Sequence, residues 1–340
     1  MNQKHLQFIC AELHLGAPEE EVASVFGCRG GSFMWRVNTE KGSYAIKQLA
    51  PVIDLKNEKM IIKYELSETI AYRFAQQGIQ AVSAIKQSGK HLNIIENTGY
   101  LVYPWVEGYT LGRNQISEIH ALKIADVIAK LHNINMSVSE IETPHVDIHS
   151  DDIIVEAIEK AVLFKCSFAN ELKEHQHFIL SMYDGYLAAV PLLLEDTIVS
   201  HGDLDQLNVL WDKAEKAVLI DWESVRKLNP TREIIRTSLS WSGMGVNDSL
   251  SGASLTIYSQ MLDTYIKGGR RLNINHVNAA LYSLIGSAVN WMLFNIRLAI
   301  TSELPGEKRQ AAEEVNSSLI TIRKVERLIP ELLEISIRFA

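Results

Sequence analysis

Between residues 20 and 50 apolar and polar positions alternate in short runs broken by glycine. Residues 21–26, 32–38 and 43–49, rich in Val, Phe, Trp, Tyr and Ile, each read as a strand, with Thr39-Glu40-Lys41-Gly42 as the turn between the last two. From 55 to 77 the period lengthens to that of a helix. Ile62, Leu66, Ile70 and Phe74 recur every four residues, and Gly78 supplies the stop. Short strands are expected again over 82–87, 91–96 and 100–103. Past Gly108 the pattern is helical: Ile116, Ile119, Leu122, Ala125, Ile128 and Leu131 mark one stripe, and similar runs occupy 152–168, 172–190, 254–266, 277–300 and 311–333. One segment interrupts it. From Ile198 an apolar strand runs into His201-Gly202-Asp203-Leu204, after which 208–211 and 218–221 flank a polar turn and read as a hairpin. The chain is therefore expected to be α+β, a sheet-rich beginning giving way near 104–108 to a helical remainder.

Composition narrows the class of protein. With 340 residues, 47% hydrophobic and 22% charged, the chain lies in the globular range. Its 33 basic and 41 acidic side chains give a net charge of −8, which offers no footprint for non-specific nucleic-acid binding. Cys10, Cys28 and Cys166 are too scattered for a disulfide framework or a metal site, and a reduced, cytoplasmic setting is expected. Residues 1–15 are interrupted by Lys4, His5, Gln7, Glu12 and His14 and do not read as a secretory signal. Residues 281–300 have membrane-like length, but Asn290, Asn295 and Arg297 mark a helix buried in protein, so no membrane partner is expected. The alternating His145, Asp147, His149 and Asp151 lack a further fixed ligand and read as a polar connection, while Cys28 reads as a packing residue. Trp222, Trp241, Trp291, Tyr258, Tyr265 and Tyr282 could form a cage for a quaternary ammonium, but at helical spacing aromatic residues belong first to a core.

Candidate chemistry gathers around the interruption. Moving a phosphoryl group from ATP to a hydroxyl requires a cradle and a cation for the phosphates, hard oxygen ligands for magnesium and an acceptor for the hydroxyl proton. His201-Gly-Asp203-Leu-Asp205-Gln-Leu-Asn208 matches the H-x-D-L-x-x-x-N pattern, in which the Asp orients the hydroxyl and the Asn holds a metal. Further on, Ile220-Asp221-Trp222-Glu223 ends the second hairpin strand with a carboxylate where a second ligand is needed. Upstream, Gly27, Gly30 and Gly31 separate the first two strands, and Tyr44-Ala45-Ile46-Lys47 matches the V-A-I-K pattern whose lysine pairs phosphates. Glu65 and Glu68 stand about one turn apart on the next helix, and either could anchor Lys47; Glu68 is preferred.

These motifs resemble the aminoglycoside phosphotransferase and choline kinase superfamily of small-molecule kinases. The resemblance runs through Gly30-Gly31-Ser32, Ala45-Ile46-Lys47, 101–108, Ile128 to His132, His201 to Asn208 and Ile220 to Glu223. It implies a bilobal protein-kinase-like fold: a small, mainly antiparallel-sheet nucleotide-binding lobe over 1–103, a hinge at 104–108, and a larger, mainly helical lobe over 109–340 that carries a short catalytic hairpin. It also implies Asp203 as catalytic base, Asn208 and Asp221 as Mg2+ ligands, and Lys47 with Glu68 as the phosphate clamp. Gly30, Gly31 and Ser32 would form the phosphate loop, and Tyr103 and Trp105 would offer backbone groups to the base of ATP or another nucleoside triphosphate. Where many members continue His-Gly-Asp with Leu-His-Pro-Gly-Asn, this chain has Asp205-Gln206-Leu207 before Asn208. Asp205, Glu223 and Glu233 are the candidate acceptor-site acids and would suit a cationic molecule such as an aminoglycoside, choline or an amino alcohol. Two alternatives stand beside the small-molecule kinase. A protein serine/threonine kinase is disfavoured by the lack of an Ala-Pro-Glu segment, and an idle nucleotide-binding scaffold by retention of the lysine, the base and both metal ligands.

Overall fold

The computed structural model describes residues 1–27, 31–112, 115–141, 146–243 and 254–340. In chain order the elements are α1 (Gln3–Glu12), β1 (Pro18–Gly27), β2 (Phe33–Thr39), β3 (Gly42–Gln48), α2 (Glu58–Gln76), β4 (Leu92–Ile95), β5 (Thr98–Pro104), α3 (Glu118–Ile134), α4 (Asp151–Leu163), α5 (Ala169–Glu174), α6 (Gln176–Leu193), β6 (Ile198–Ser200), β7 (Val209–Trp211), β8 (Ala217–Leu219), β9 (Arg226–Leu228), α7 (Pro230–Trp241), α8 (Leu255–Lys267), α9 (Ile274–Thr301) and α10 (Pro305–Ile337). The fold is α+β, with an antiparallel N-terminal sheet and a largely helical C-terminal region. Two compact units make up the chain. The first comprises Met1–Leu111, Val138–Ile141 and His201–Val225, and the second Gly112–Ser137, Glu142–Ser200 and Arg226–Ala340. The hairpin of β7 and β8 thus clusters with the N-terminal sheet.

In the first unit the five-stranded sheet runs β1-β2-β3-β5-β4, every pair antiparallel. Successive side chains of a strand point to opposite faces, so Ile46 and Lys47 on β3 are buried on different sides. Ile46 joins Trp35, Val37, Tyr100 and Val102 beneath Leu6, Ile9 and Cys10 of α1. The sequence pattern does not announce α1, because its apolar stripe is short. It is started by the Asn2 side chain, which accepts from the Lys4 amide at 2.9 Å. On the other face Leu49, Leu92 and Leu101 pack with Tyr64 of α2.

The segment expected to be a strand at 82–87 is not part of the sheet ladder. Its backbone bonds are divided: Val82 N–H donates to Leu219 O (3.0 Å), Ile85 N–H to Val102 O (2.7 Å) and Gln87 N–H to Lys90 O (2.8 Å). An extended run with three different partners cannot hold one register.

In the second unit α9 is the central helix, packing against α4, α6, α7 and α10. By length and composition it could cross a membrane, yet most of its apolar window is buried among these neighbours. Trp241, Tyr258 and Tyr265 are fully buried core residues of this unit, as Trp222 is of the first, whereas Trp291 is partly exposed and stacks on Phe294. The helical run expected over 172–190 divides at His175 into α5 and α6. α7 was not anticipated, although its start carries a sequence signal: Asn229 Oδ1 accepts from the Arg232 amide at 3.1 Å and Pro230 occupies the first turn.

Close approach of α6 and α9 depends on two glycines. A Cβ on Gly185 would lie 2.2 Å from the Tyr282 ring, and one on Gly286 would lie 2.5 Å from the Tyr186 ring. Gly185→Ala should therefore destabilise the protein by about 1–3 kcal/mol despite alanine's better helix propensity. Urea unfolding checks this; a variant as stable as the parent would show that the helices do not meet at these rings.

Candidate active site

The site is built on a buried ammonium. Lys47 Nζ lies 3.1 Å from Asp221 Oδ1 and 2.7 Å from Glu223 Oε1, and the lysine is only 6% exposed. Burial alone would lower the lysine pKa, but the two carboxylates outweigh it and hold the ammonium above its usual range. β3 supplies the amine and the turn after β8 supplies both acids. Asp221 itself sits at φ 60°, ψ 65°, a left-handed conformation that aspartate tolerates better than bulkier residues.

The neighbouring loop carries the second group of candidates. Gly202 adopts φ +80°, which turns the chain so that Asp203 follows a buried His201. His201 Nε2 donates to Ile220 O (2.9 Å), its Nδ1 accepts from the Asp203 amide (3.4 Å), and its ring lies 4.6 Å from that of Trp222. These partners assign the Nε2–H tautomer. Asn208 Nδ2 donates to Asp203 Oδ2 (3.0 Å) and Asp203 O (2.8 Å), and the Ile220 amide donates to Asn208 O (3.1 Å). Trp222 in turn stacks on Phe74 of α2 at 5.3 Å. Asp203, Asn208, Asp221 and Lys47 are thus brought together in the first unit. With its amide nitrogen occupied by Asp203, Asn208 keeps Oδ1 as a hard donor, and Asp221 has a second carboxylate oxygen beyond the one facing Lys47. That donor set fits magnesium.

The remaining candidates are distributed as follows. Neither Glu65 nor Glu68 is an ion-pair partner of Lys47. Glu65 accepts from the amides of His91 (2.9 Å) and Leu92 (2.9 Å), pinning the start of β4. Glu68 accepts from the Ala84 amide (2.6 Å) and the Tyr103 hydroxyl (2.8 Å). The Tyr103 side chain is therefore directed at Glu68, and the Trp105 amide donates to Ser43 O at 3.0 Å while Arg36 lies 4.4 Å over its indole. Gly31 has φ +83°, a conformation suited to glycine, and Ser32 follows it; Gly30 and Cys28 lie outside the described residues, as does His145. Asp205 caps a short turn, accepting from the Leu207 amide at 2.8 Å. Glu223 is engaged by Lys47. Glu233 belongs to the second unit, buried with Oε2 2.8 Å from His132 Nε2, whose Nδ1 meets the Tyr265 hydroxyl at 2.7 Å. Sequence reasoning placed Glu223 near the acceptor and missed it as a lysine partner, because only the turn after β8 aims it back at β3.

The chain belongs to the APH phosphotransferase enzyme family, which matches residues 29–263. Its fold is similar to that of spectinomycin phosphotransferase APH(9)-Ia, solved with ADP and spectinomycin, at TM-score 0.70 and 13% identity over 95% of this chain and 98% of that one. It is also similar to amicoumacin kinase hAmiN, solved with AMP-PNP and Ca2+, at TM-score 0.62 and 13% identity over 95% of this chain and 93% of that one. Choline kinase LicA from Streptococcus pneumoniae shares the fold at TM-score 0.59 and 14% identity over 94% of this chain and 98% of that one. A search of curated proteins returned no match.

Glu68 gives the site a measurable pH dependence. Burial pushes its carboxyl from 4.5 up to about 7, against the opposing pull of the Ala84 and Tyr103 hydrogen bonds. Between these values the folded chain keeps a proton that the unfolded chain has lost, so this group's contribution to stability falls as pH rises through the window. Glu68→Gln removes that slope. The stability of the variant relative to the parent should rise from pH 5 to pH 8 by an amount on the order of 3 kcal/mol. Urea midpoints at the two pH values test it, and a pH-independent difference would contradict the assignment.

Proposed function

We propose that this protein is an ATP-dependent, magnesium-assisted phosphotransferase that moves the γ-phosphoryl group to a hydroxyl of a small polar molecule. The observation that carries the proposal is the joining of the Lys47–Asp221 pair (3.1 Å) and the Asp203–Asn208 pair (3.0 Å) through the 201–225 segment. Family membership supports it, as do the nucleotides bound to the structural relatives. The relatives' names, a spectinomycin phosphotransferase and a choline kinase, support small molecules as acceptors. The same reading places the enzyme in the cytoplasm, where ATP is available.

In this reading Lys47 provides a fixed positive charge for the phosphates, poised on β3 by its contacts with Asp221 and Glu223. Asp221 and Asn208 would hold Mg2+, which when bound neutralises phosphate oxygens. Asp203 orients the acceptor hydroxyl and takes its proton. Asn208 holds one oxygen of that carboxylate, and the His201–Ile220 bond sets the path of the loop, so little reorganisation is needed on reaction. Gly31 and Ser32 immediately precede β2 and would approach the phosphates, while the chain at Tyr103 and Trp105 would line the base. Glu68 acts as a buried brace for Tyr103 and Ala84.

Asp203→Asn keeps the size of the side chain and removes its basicity. Turnover should fall by a factor on the order of 100 or more while ADP affinity changes little. The assay is ATP consumption across a panel of aminoglycosides, choline, ethanolamine, amino sugars and hydroxy acids, with ADP binding measured by calorimetry. Undiminished turnover in this variant would refute the assignment of the base.

A further inference from the structure

The phosphoryl-transfer chemistry leaves three arginines of the second unit unexplained. Arg226 lies on β9 opposite Ser200 of β6, the residue that immediately precedes His201 in the chain, and Arg232 and Arg236 stand one helical turn apart on α7. Arg232 is at their centre. Its Nε is buried without a hydrogen-bond partner, and among the described residues no carboxylate forms an ion pair with it. The acid next to it in sequence, Glu233, is committed to His132. Beside the cluster Tyr186 of α6 is held rigidly, its ring against Gly286 and its hydroxyl donating to Asp147 O at 3.0 Å.

Such an arrangement is unfavourable as it stands. Burial, and then the neighbouring Arg236 and Arg226, depress the Arg232 pKa to about 10. A desolvated guanidinium next to like charges needs a compensating anion, and its planar fork matches the paired oxygens of carboxylate and phosphate.

We propose that Arg232, on α7 of the second unit, centres an anion site that binds a small molecule bearing a carboxylate or phosphate. The site stands whether or not the phosphotransferase reading does.

The test uses the full chain saturated with ADP and magnesium, so that the nucleotide site is filled. Inorganic phosphate, glycerate and glycerol phosphate are titrated while the melting temperature is followed for the parent, Arg232→Gln and Arg232→Lys. The parent should be stabilised by oxyanions, Arg232→Lys less so and Arg232→Gln not at all; retained ADP binding shows that each variant is folded. Glycerate against glycerol phosphate separates carboxylate from phosphate recognition. The apparent affinity for the preferred oxyanion should fall roughly tenfold or more in Arg232→Gln, with ADP affinity unchanged. An equal oxyanion response in parent and Arg232→Gln overturns the proposal, whatever acceptors are phosphorylated.

Discussion

An ammonium group leaves water only if opposite charge goes with it, and the first unit of this protein is organised around that requirement at Lys47. Desolvating a lysine costs several kcal/mol unless carboxylates compensate. Here Asp221 and Glu223 do so from 174 and more residues away in the chain. The pairing ties β3 to the turn after β8 and draws the 201–225 segment into the unit that holds the sheet. It also frees Glu68 from the role expected of it. That carboxylate closes instead on Tyr103 and Ala84, linking α2 to β5 and to the irregular segment before β4.

Around this pair the catalytic segment is held by bonds of several kinds. His201 bonds to Ile220, Asn208 to Asp203, and the Ile220 amide to Asn208, so the loop before β7 and the turn after β8 are laced together on both sides of the hairpin. Trp222 fills the space between His201 and Phe74, anchoring the same turn to α2 by packing. A backbone in left-handed conformation at Asp221 persists because its surroundings determine it from several directions. Preorganisation of this kind suits phosphoryl transfer, in which the protein supplies position and charge more than bond chemistry. In the second unit Arg232 of α7 is buried, and among the described residues no carboxylate forms an ion pair with it.

Much of this was legible in the residues themselves. Strand alternation on β2 and β3, the fourfold spacing on α2, and the His-Gly-Asp and Ile-Asp-Trp-Glu motifs are local patterns, set by side-chain period and turn chemistry. They sufficed to place Lys47 on the third strand, to place Asp203, Asn208 and Asp221 around the short hairpin, and to class the fold as α+β; Asn208 falls just before β7 and Asp221 in the turn after β8. Where local signals were weak the reading failed: α1 is short, α7 is announced only by Asn229-Pro230, and residues 82–87 look like a strand but divide their bonds among three partners.

The sequence by itself determined which residue types stand at which register, and through them the family and the class of chemistry, because motifs of that kind depend on spacing along a single stretch of backbone. Only the tertiary structure decided which charges meet. Lys47 takes Asp221 and Glu223 in place of Glu65 or Glu68, Glu233 turns to His132, and among the described residues Arg232 has neither a carboxylate ion-pair partner nor a hydrogen-bond partner for its Nε. The physical reason is that an ion pair depends on distance and desolvation, both of which are set by packing between elements far apart in the chain.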